Sequence, residues 1–108
     1  MDIEQRIRPR KPVRVNALVS VSGIPSMTVR TIDISEGGIC LSMPRPLTVG
    51  QKCNLAFELV KNGKKGRVMA LAKVIYCILN SQDGFKTGLQ YIEIDPTSAG
   101  VISQFIRA

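Results

Sequence analysis

A chain of 108 residues carrying a net charge of +7 has room for one domain with one modest core, and not for a second. Its 44% apolar and 21% charged residues are ordinary for a globular protein and exclude global disorder. No apolar run approaches the about eighteen residues of a spanning helix, and the opening MDIEQRIRPRK is charged where a secretory leader is apolar, so a soluble, cytoplasmic protein is expected.

Residues 1–11 show no apolar periodicity, and Pro9 and Pro12 oppose a regular helix, so this stretch reads as a flexible Arg-rich arm preceding a domain over 12–108. Val13, Val15, Ala17 and Val19 then alternate with polar residues, a strand pattern that Leu18 interrupts on its polar side. Gly23-Ile24-Pro25 reads as a turn. Met27 to Ile34 is the second predicted strand, Ser35-Glu36-Gly37-Gly38 breaks it, and Ile39 to Met43 is the third, ended by Pro44 and Pro46. A fourth runs from about Lys52 to Val60. Residues 61–66 form a hairpin connection in which Asn62-Gly63 supplies the positive φ of a tight turn. Arg67 to Leu79 is the fifth strand, Ser81-Gln82-Asp83-Gly84 turns, and Phe85 to Ile94 is the sixth. Asp95 then suits a helix N-cap with Pro96 at the first helical position, and Val101, Ile102, Phe105 and Ile106 recur at helical spacing. Six strands joined by short turns predict a mostly β fold, a closed or nearly closed six-stranded antiparallel barrel whose short C-terminal helix packs on the sheet.

The chemistry available to such a barrel is narrow. The sequence has no histidine, so histidine acid–base work and Ser-His or Cys-His nucleophiles are excluded, while paired carboxylates stay open because the sequence does not show which of them meet. Cys40, Cys53 and Cys77 are widely spaced, each in or beside an apolar stretch, and read as buried thiols rather than metal ligands. No phosphate loop and no G-x-G-x-x-G occurs. Asp33, Glu36, Glu58, Asp83, Glu93 and Asp95 read as mainly solvated carboxylates. Neither an enzyme nor a metal site is expected.

Two stretches stand apart. Arg6, Arg8, Arg10, Lys11 and Arg14 lie close together in the arm and first strand, and arginine presents a fixed fork of donors that matches phosphate oxygens. The other reading of this cluster is a solvated basic tail. In Asp33-Ile34-Ser35-Glu36-Gly37-Gly38 a carboxylate able to accept from the N–H edge of a purine sits two residues from a hydroxyl, with two glycines allowing close approach. The other reading here is an Asx or Ser turn closing the loop. The second basic cluster, Lys61, Lys64, Lys65 and Arg67, reads as a solvated turn.

Taken together these stretches resemble the PilZ domain family, which includes bacterial receptors for cyclic di-GMP. Arg6-Ile7-Arg8-Pro9-Arg10 matches the family's R-x-x-x-R, and Asp33 to Gly38 matches its [DN]-x-S-x-x-G. Pro12-Val13-Arg14-Val15, Val74-Ile75-Tyr76-Cys77 and Gly88-Leu89-Gln90-Tyr91-Ile92 are similar to its first, fifth and last strands. Arg10-x-x-x-Arg14 is an alternative register, disfavoured because Arg14 falls in the first predicted strand. The resemblance implies a split barrel with a C-terminal helix, and a non-enzymatic receptor in second-messenger signalling that affects motility, exopolysaccharide production or biofilm through a partner protein. It implies that Arg6 and Arg10 grip the phosphates and guanines of cyclic di-GMP, that Asp33 and Ser35 read a guanine edge, and that Gly38 permits the turn beside it. Arg8 and Lys11 would add charge, and Tyr76 would stack on a base if its face is outward. Two other function classes stay open: a small nucleic-acid-binding barrel, weakened by having only five aromatic residues, and an adaptor that binds protein without a nucleotide. The oligomeric state, monomer or homodimer, is not fixed by the sequence.

Overall fold

The computed structural model describes residues 9–80 and 84–107. Among the described residues, seven strands and one helix follow in order: β1 (Lys11–Pro12), β2 (Asn16–Val21), β3 (Ile24–Ile34), β4 (Gly38–Met43), β5 (Lys52–Lys61), β6 (Lys64–Leu79), β7 (Phe85–Ile94) and α1 (Pro96–Ile106). The sheet runs β1-β3-β2-β5-β6-β7-β4, and a further β3–β4 pairing closes it. The result is the expected six-stranded antiparallel barrel, with β1 as an extra strand against β3. Among the described residues, closure leaves no long open edge.

Alternation explains the core. Along β5, Cys53, Leu55, Phe57 and Leu59 point inward while Lys52, Asn54, Glu58 and Val60 face out. Val19, Ile34, Ile39, Leu41, Met43, Val68, Val74 and Leu89 fill the barrel. Asp95 caps α1 by accepting from the Ser98 amide at 3.0 Å, and Ser98 in turn accepts from the Met69 amide at 3.0 Å, tying the first turn to β6. Ile102 is 1% exposed, and burying one such side chain stabilises by about 1.5–3 kcal/mol, which a helix of eleven residues needs. Val101 packs onto Gly66, where an added Cβ would meet it at 2.6 Å.

Three local expectations are corrected. The first strand is not continuous, because the pairing with β3 slips by one residue between Pro12–Asp33 and Asn16–Arg30. Thr31, fully buried, fills the bulge: its hydroxyl donates to the Val13 carbonyl at 2.6 Å and accepts from the Val15 amide at 2.9 Å. Ile24 and Pro25 belong to β3 rather than to the turn. Gly23 alone takes the positive φ of 81°, and the exposed Pro25 is tolerated because the β2–β3 register is irregular between Val19 and Val21. The β5–β6 connection is only Asn62-Gly63, with φ of 53° and 76°, so the hairpin pairs to its tip at Lys61–Lys64. The turn expected at Ser81-Gln82-Asp83 lies outside the described residues. Among those that are described, no helix is long and apolar enough to cross a membrane.

Candidate ligand-binding site

Pairing of β1 with the end of β3 sets Arg10 beside the loop that joins β3 to β4. Arg10 Nε donates to Asp33 Oδ1 at 2.8 Å, and Nη1 lies 3.5 Å from Ser35 Oγ. The Ser35 hydroxyl accepts from the Gly37 and Gly38 amides, each at 3.2 Å, while the Ser35 amide donates to the Gly38 carbonyl at 2.9 Å. The serine turn therefore closes the loop, and the same turn sets Asp33 and Ser35 against one arginine. Gly38 serves a different need from a turn's positive φ. It is the first residue of β4, and a Cβ there would lie 2.2 Å from the Leu89 carbonyl oxygen of β7. Arg6 and Arg8 lie outside the described residues. Arg14 is exposed between β1 and β2.

Tyr76 does face outward. Ile75 is an extra residue in the β6–β7 ladder, so Val74 opposes Leu89 and Tyr76 opposes Gly88. Such a bulge re-aims a side chain. The ring lies over Gly88, where an added Cβ would meet it at 2.2 Å, and its hydroxyl donates to Cys40 Sγ at 3.4 Å. Asp33, Cys40, Gly88 and Tyr76 thus form one row across β3, β4, β7 and β6. Burial pushes the Cys40 thiol above its ordinary value, so it stays a protonated, apolar part of this surface. Cys40 and Cys53 are buried, Cys77 is half-buried, and all three are free thiols.

Lys11 lies elsewhere. Its ammonium donates to the Phe105 carbonyl at 2.9 Å and sits 4.6 Å from the centre of the Phe105 ring. Lys61 donates to the Gln104 carbonyl. Helix α1 has no basic residue in its own last turn, so β1 and β5 supply the cations that its C-terminal carbonyls favour. Glu36 completes the contact, accepting from Ser103 Oγ at 3.1 Å with Arg107 at 4.0 Å. The residues following Arg10 and Ser35 therefore both end on the last turn of α1. None of this was legible in the sequence, since no periodicity relates residue 11 to residue 105.

Tyr91, in the stretch similar to the family's last strand, is a second feature of this region. Its amide donates to the Gly37 carbonyl at 3.1 Å, while its buried hydroxyl has no hydrogen-bond partner among the described residues. A buried unpaired hydroxyl costs about 1–3 kcal/mol. Tyr91→Phe is therefore expected to raise stability by about 1 kcal/mol, read as a Tm increase of a few degrees in thermal unfolding. A lower Tm would show that the hydroxyl has a partner. Burial also pushes the Tyr91 and Tyr76 hydroxyls above the ordinary tyrosine value. Their contribution to stability is whole below about pH 10 and falls as pH rises beyond it, so alkaline unfolding should be less marked in Tyr91→Phe.

A closed antiparallel barrel with an arginine held against an Asp-x-Ser turn defines a small β-barrel domain with a polar, cation-bearing site on its outer wall. A family model, the PilZ domain, matches residues 4–108, and the chain belongs to that family. No curated protein matches it. Among solved structures it is similar to the Bacillus subtilis inhibitor of motility MotI/DgrA, at 17% identity and a TM-score of 0.80, covering 93% of this chain and 49% of that one. It therefore spans about half the length of that protein. The PilZ domain of Escherichia coli YcgR with c-di-GMP is similar at 13% identity and a TM-score of 0.69, covering 93% and 87% of the two chains. The PilZ domain of CeSA from a cellulose-synthesizing bacterium follows at 18% identity and 0.57, covering 92% and 95%. At these identities the likeness is one of fold.

Proposed function

We propose that this domain is a non-catalytic receptor for cyclic di-GMP that passes the signal to a protein partner. The observation that carries this reading is the convergence of Arg10, Asp33 and Ser35, which lie on separate elements and meet at hydrogen-bonding distance. Arg10 supplies donors for a phosphate or a guanine face, Asp33 accepts from a guanine N–H edge, and Ser35 holds the loop that presents them. Arg6, and with it Arg8, would complete the grip from the arm. Tyr76 offers a ring beside the same row on which a base can lie. The family's association with YcgR, whose structure holds c-di-GMP, and with MotI, an inhibitor of motility, supports both the ligand and a motility-related output. A nucleic-acid interface is the weaker reading. Two lysines that would extend a basic face, Lys11 and Lys61, are committed to the carbonyls of α1.

Isothermal titration of the purified chain with cyclic di-GMP is the direct test. Saturable binding with a Kd of about 10 µM or tighter is expected, near −7 kcal/mol. No saturable heat at ligand concentrations of about 100 µM would sink the reading.

A further inference from the structure

The strand register arranges the outer wall of the barrel in rows. Beside the row Asp33–Cys40–Gly88–Tyr76 runs a second one, Arg30–Ser42–Lys86–Ile78, one pleat nearer the opposite end. Rows on one face of a sheet are about 7 Å apart and adjacent strands about 4.8 Å. Lys86 therefore rises from β7 next to the glycine that carries the Tyr76 ring, with Cys40 between it and Arg10. Its Cα is about 12 Å from that of Asp33 by this spacing, a gap that the long Lys86 and Arg10 side chains narrow to the span of one small ligand.

Among the described residues no charge compensates Lys86. It is exposed, and no hydrogen bond or ion pair involves it among the described residues. Arg30, at the other end of its row, donates to Asn16 Oδ1 at 3.2 Å. Among the described residues, the carboxylate on this face, Asp33, is bound to Arg10, and Glu36 turns to Ser103 and Arg107. Glu93 opposes Leu71 and Glu58 opposes Arg67, both away from these rows. The Cys40 thiol, raised chiefly by burial and also by Asp33, is close enough to both Lys86 and Arg10 for each to favour its thiolate.

We propose that Lys86 is a second anion-binding cation of the site, on the opposite side of Cys40 from Arg10, engaging a second anionic group of the same ligand. This rests on the receptor reading above, in which the ligand is a cyclic dinucleotide with two phosphates. The short family patterns do not contain Lys86, and its role follows from its row and its uncompensated charge. A lysine there acts as a point charge on a flexible stem, able to follow a phosphate without a fixed angle.

The test is titration of the 108-residue chain with cyclic di-GMP at two salt concentrations. Lys86→Ala is expected to weaken binding about tenfold and to flatten its salt dependence, Lys86→Glu to weaken it about fiftyfold, and Lys86→Arg to keep it within about threefold. Lys52→Ala removes the same charge from β5, outside both rows, and should stay within about twofold. All four variants should unfold at the wild-type temperature. Equal losses in Lys86→Ala and Lys52→Ala would reduce the effect to bulk charge and overturn the assignment. Wild-type affinity in Lys86→Ala, with Arg10→Ala crippled, would overturn it while leaving the receptor reading intact. A wild-type chain that binds no cyclic di-GMP would overturn the receptor reading itself, and the Lys86 assignment with it.

Discussion

Replacing Arg10 by alanine is expected to weaken cyclic di-GMP binding by about a hundredfold or more and to leave the barrel folded. The two halves of this expectation come from the same geometry. Arg10 is the described arm residue that reaches both Asp33 and Ser35, so its loss removes the donors and frees the acceptor side of the site. Two charge-assisted hydrogen bonds at about 1.5 kcal/mol each give about 3 kcal/mol, which is about a hundredfold in Kd. The fold is insulated because the Arg10–Asp33 pair is only partly covered, with side-chain exposures of 33% and 26%. Pairs in such positions contribute no more than about 1 kcal/mol, and water can take up Asp33 when its partner is gone. Thermal unfolding should shift by less than about 8 °C. Arg10→Lys separates charge from shape: it keeps the cation and loses the fork, so an intermediate affinity is expected. Wild-type affinity in Arg10→Ala would instead move the register to another arginine pair.

Alternation and turn chemistry were enough to read most of the barrel from the sequence, because its strands obey one rule each: β5 and the inner half of β4 are apolar where they face the core, and Asn62-Gly63 has no better conformation than the tight turn it forms. The helix was legible for the same reason, through Asp95, Pro96 and the spacing of Val101, Ile102, Phe105 and Ile106. What escaped is what depends on register. Nothing in Val13-Arg14-Val15 announces that Thr31, eighteen residues away from Val13, will satisfy the backbone of a bulge there. Tyr76 could be given either face until the extra Ile75 in β6 decided it. The pairing of Arg10 with Asp33 and Ser35 came from motif resemblance, not from physics, since two short polar stretches carry no signal that they meet. Lys11 was assigned to the ligand with its neighbours because all arm cations look alike in sequence. The structure sends it to the last turn of α1, where it meets the same helix end as Glu36. Lys86 carries no motif signal in the sequence, and only the strand register sets it in a row.

Gly38 and Gly88 should separate the fold from the site in a single pair of substitutions. Both positions leave no room for a methyl group, yet what stands in the way differs. At Gly38 the obstacle is backbone: a Cβ would lie 2.2 Å from the Leu89 oxygen and 3.3 Å from its carbon. No rotamer relieves that contact, so β4 must move off β7 where the two strands begin to pair, and Gly38–Gln90 is the first pair of that ladder. Gly38→Ala is expected to cost about 3 kcal/mol, a Tm loss of about 15 °C, with ligand binding falling as the Ser35 loop is displaced. At Gly88 the obstacle is a side chain, the Tyr76 ring at 2.2 Å from the added Cβ. Tyr76 can rotate toward solvent, giving up its 3.4 Å bond to Cys40 and part of its packing, at a cost of about 1 kcal/mol. Gly88→Ala should therefore lose only about 5 °C in Tm while binding weakens about tenfold, because the ring no longer covers the row between Asp33 and β6. Equal Tm losses in the two variants would mean that the Tyr76 ring is as fixed as the backbone. Unchanged binding in Gly88→Ala would remove Tyr76 from the site and leave its place over Gly88 as packing of the barrel wall.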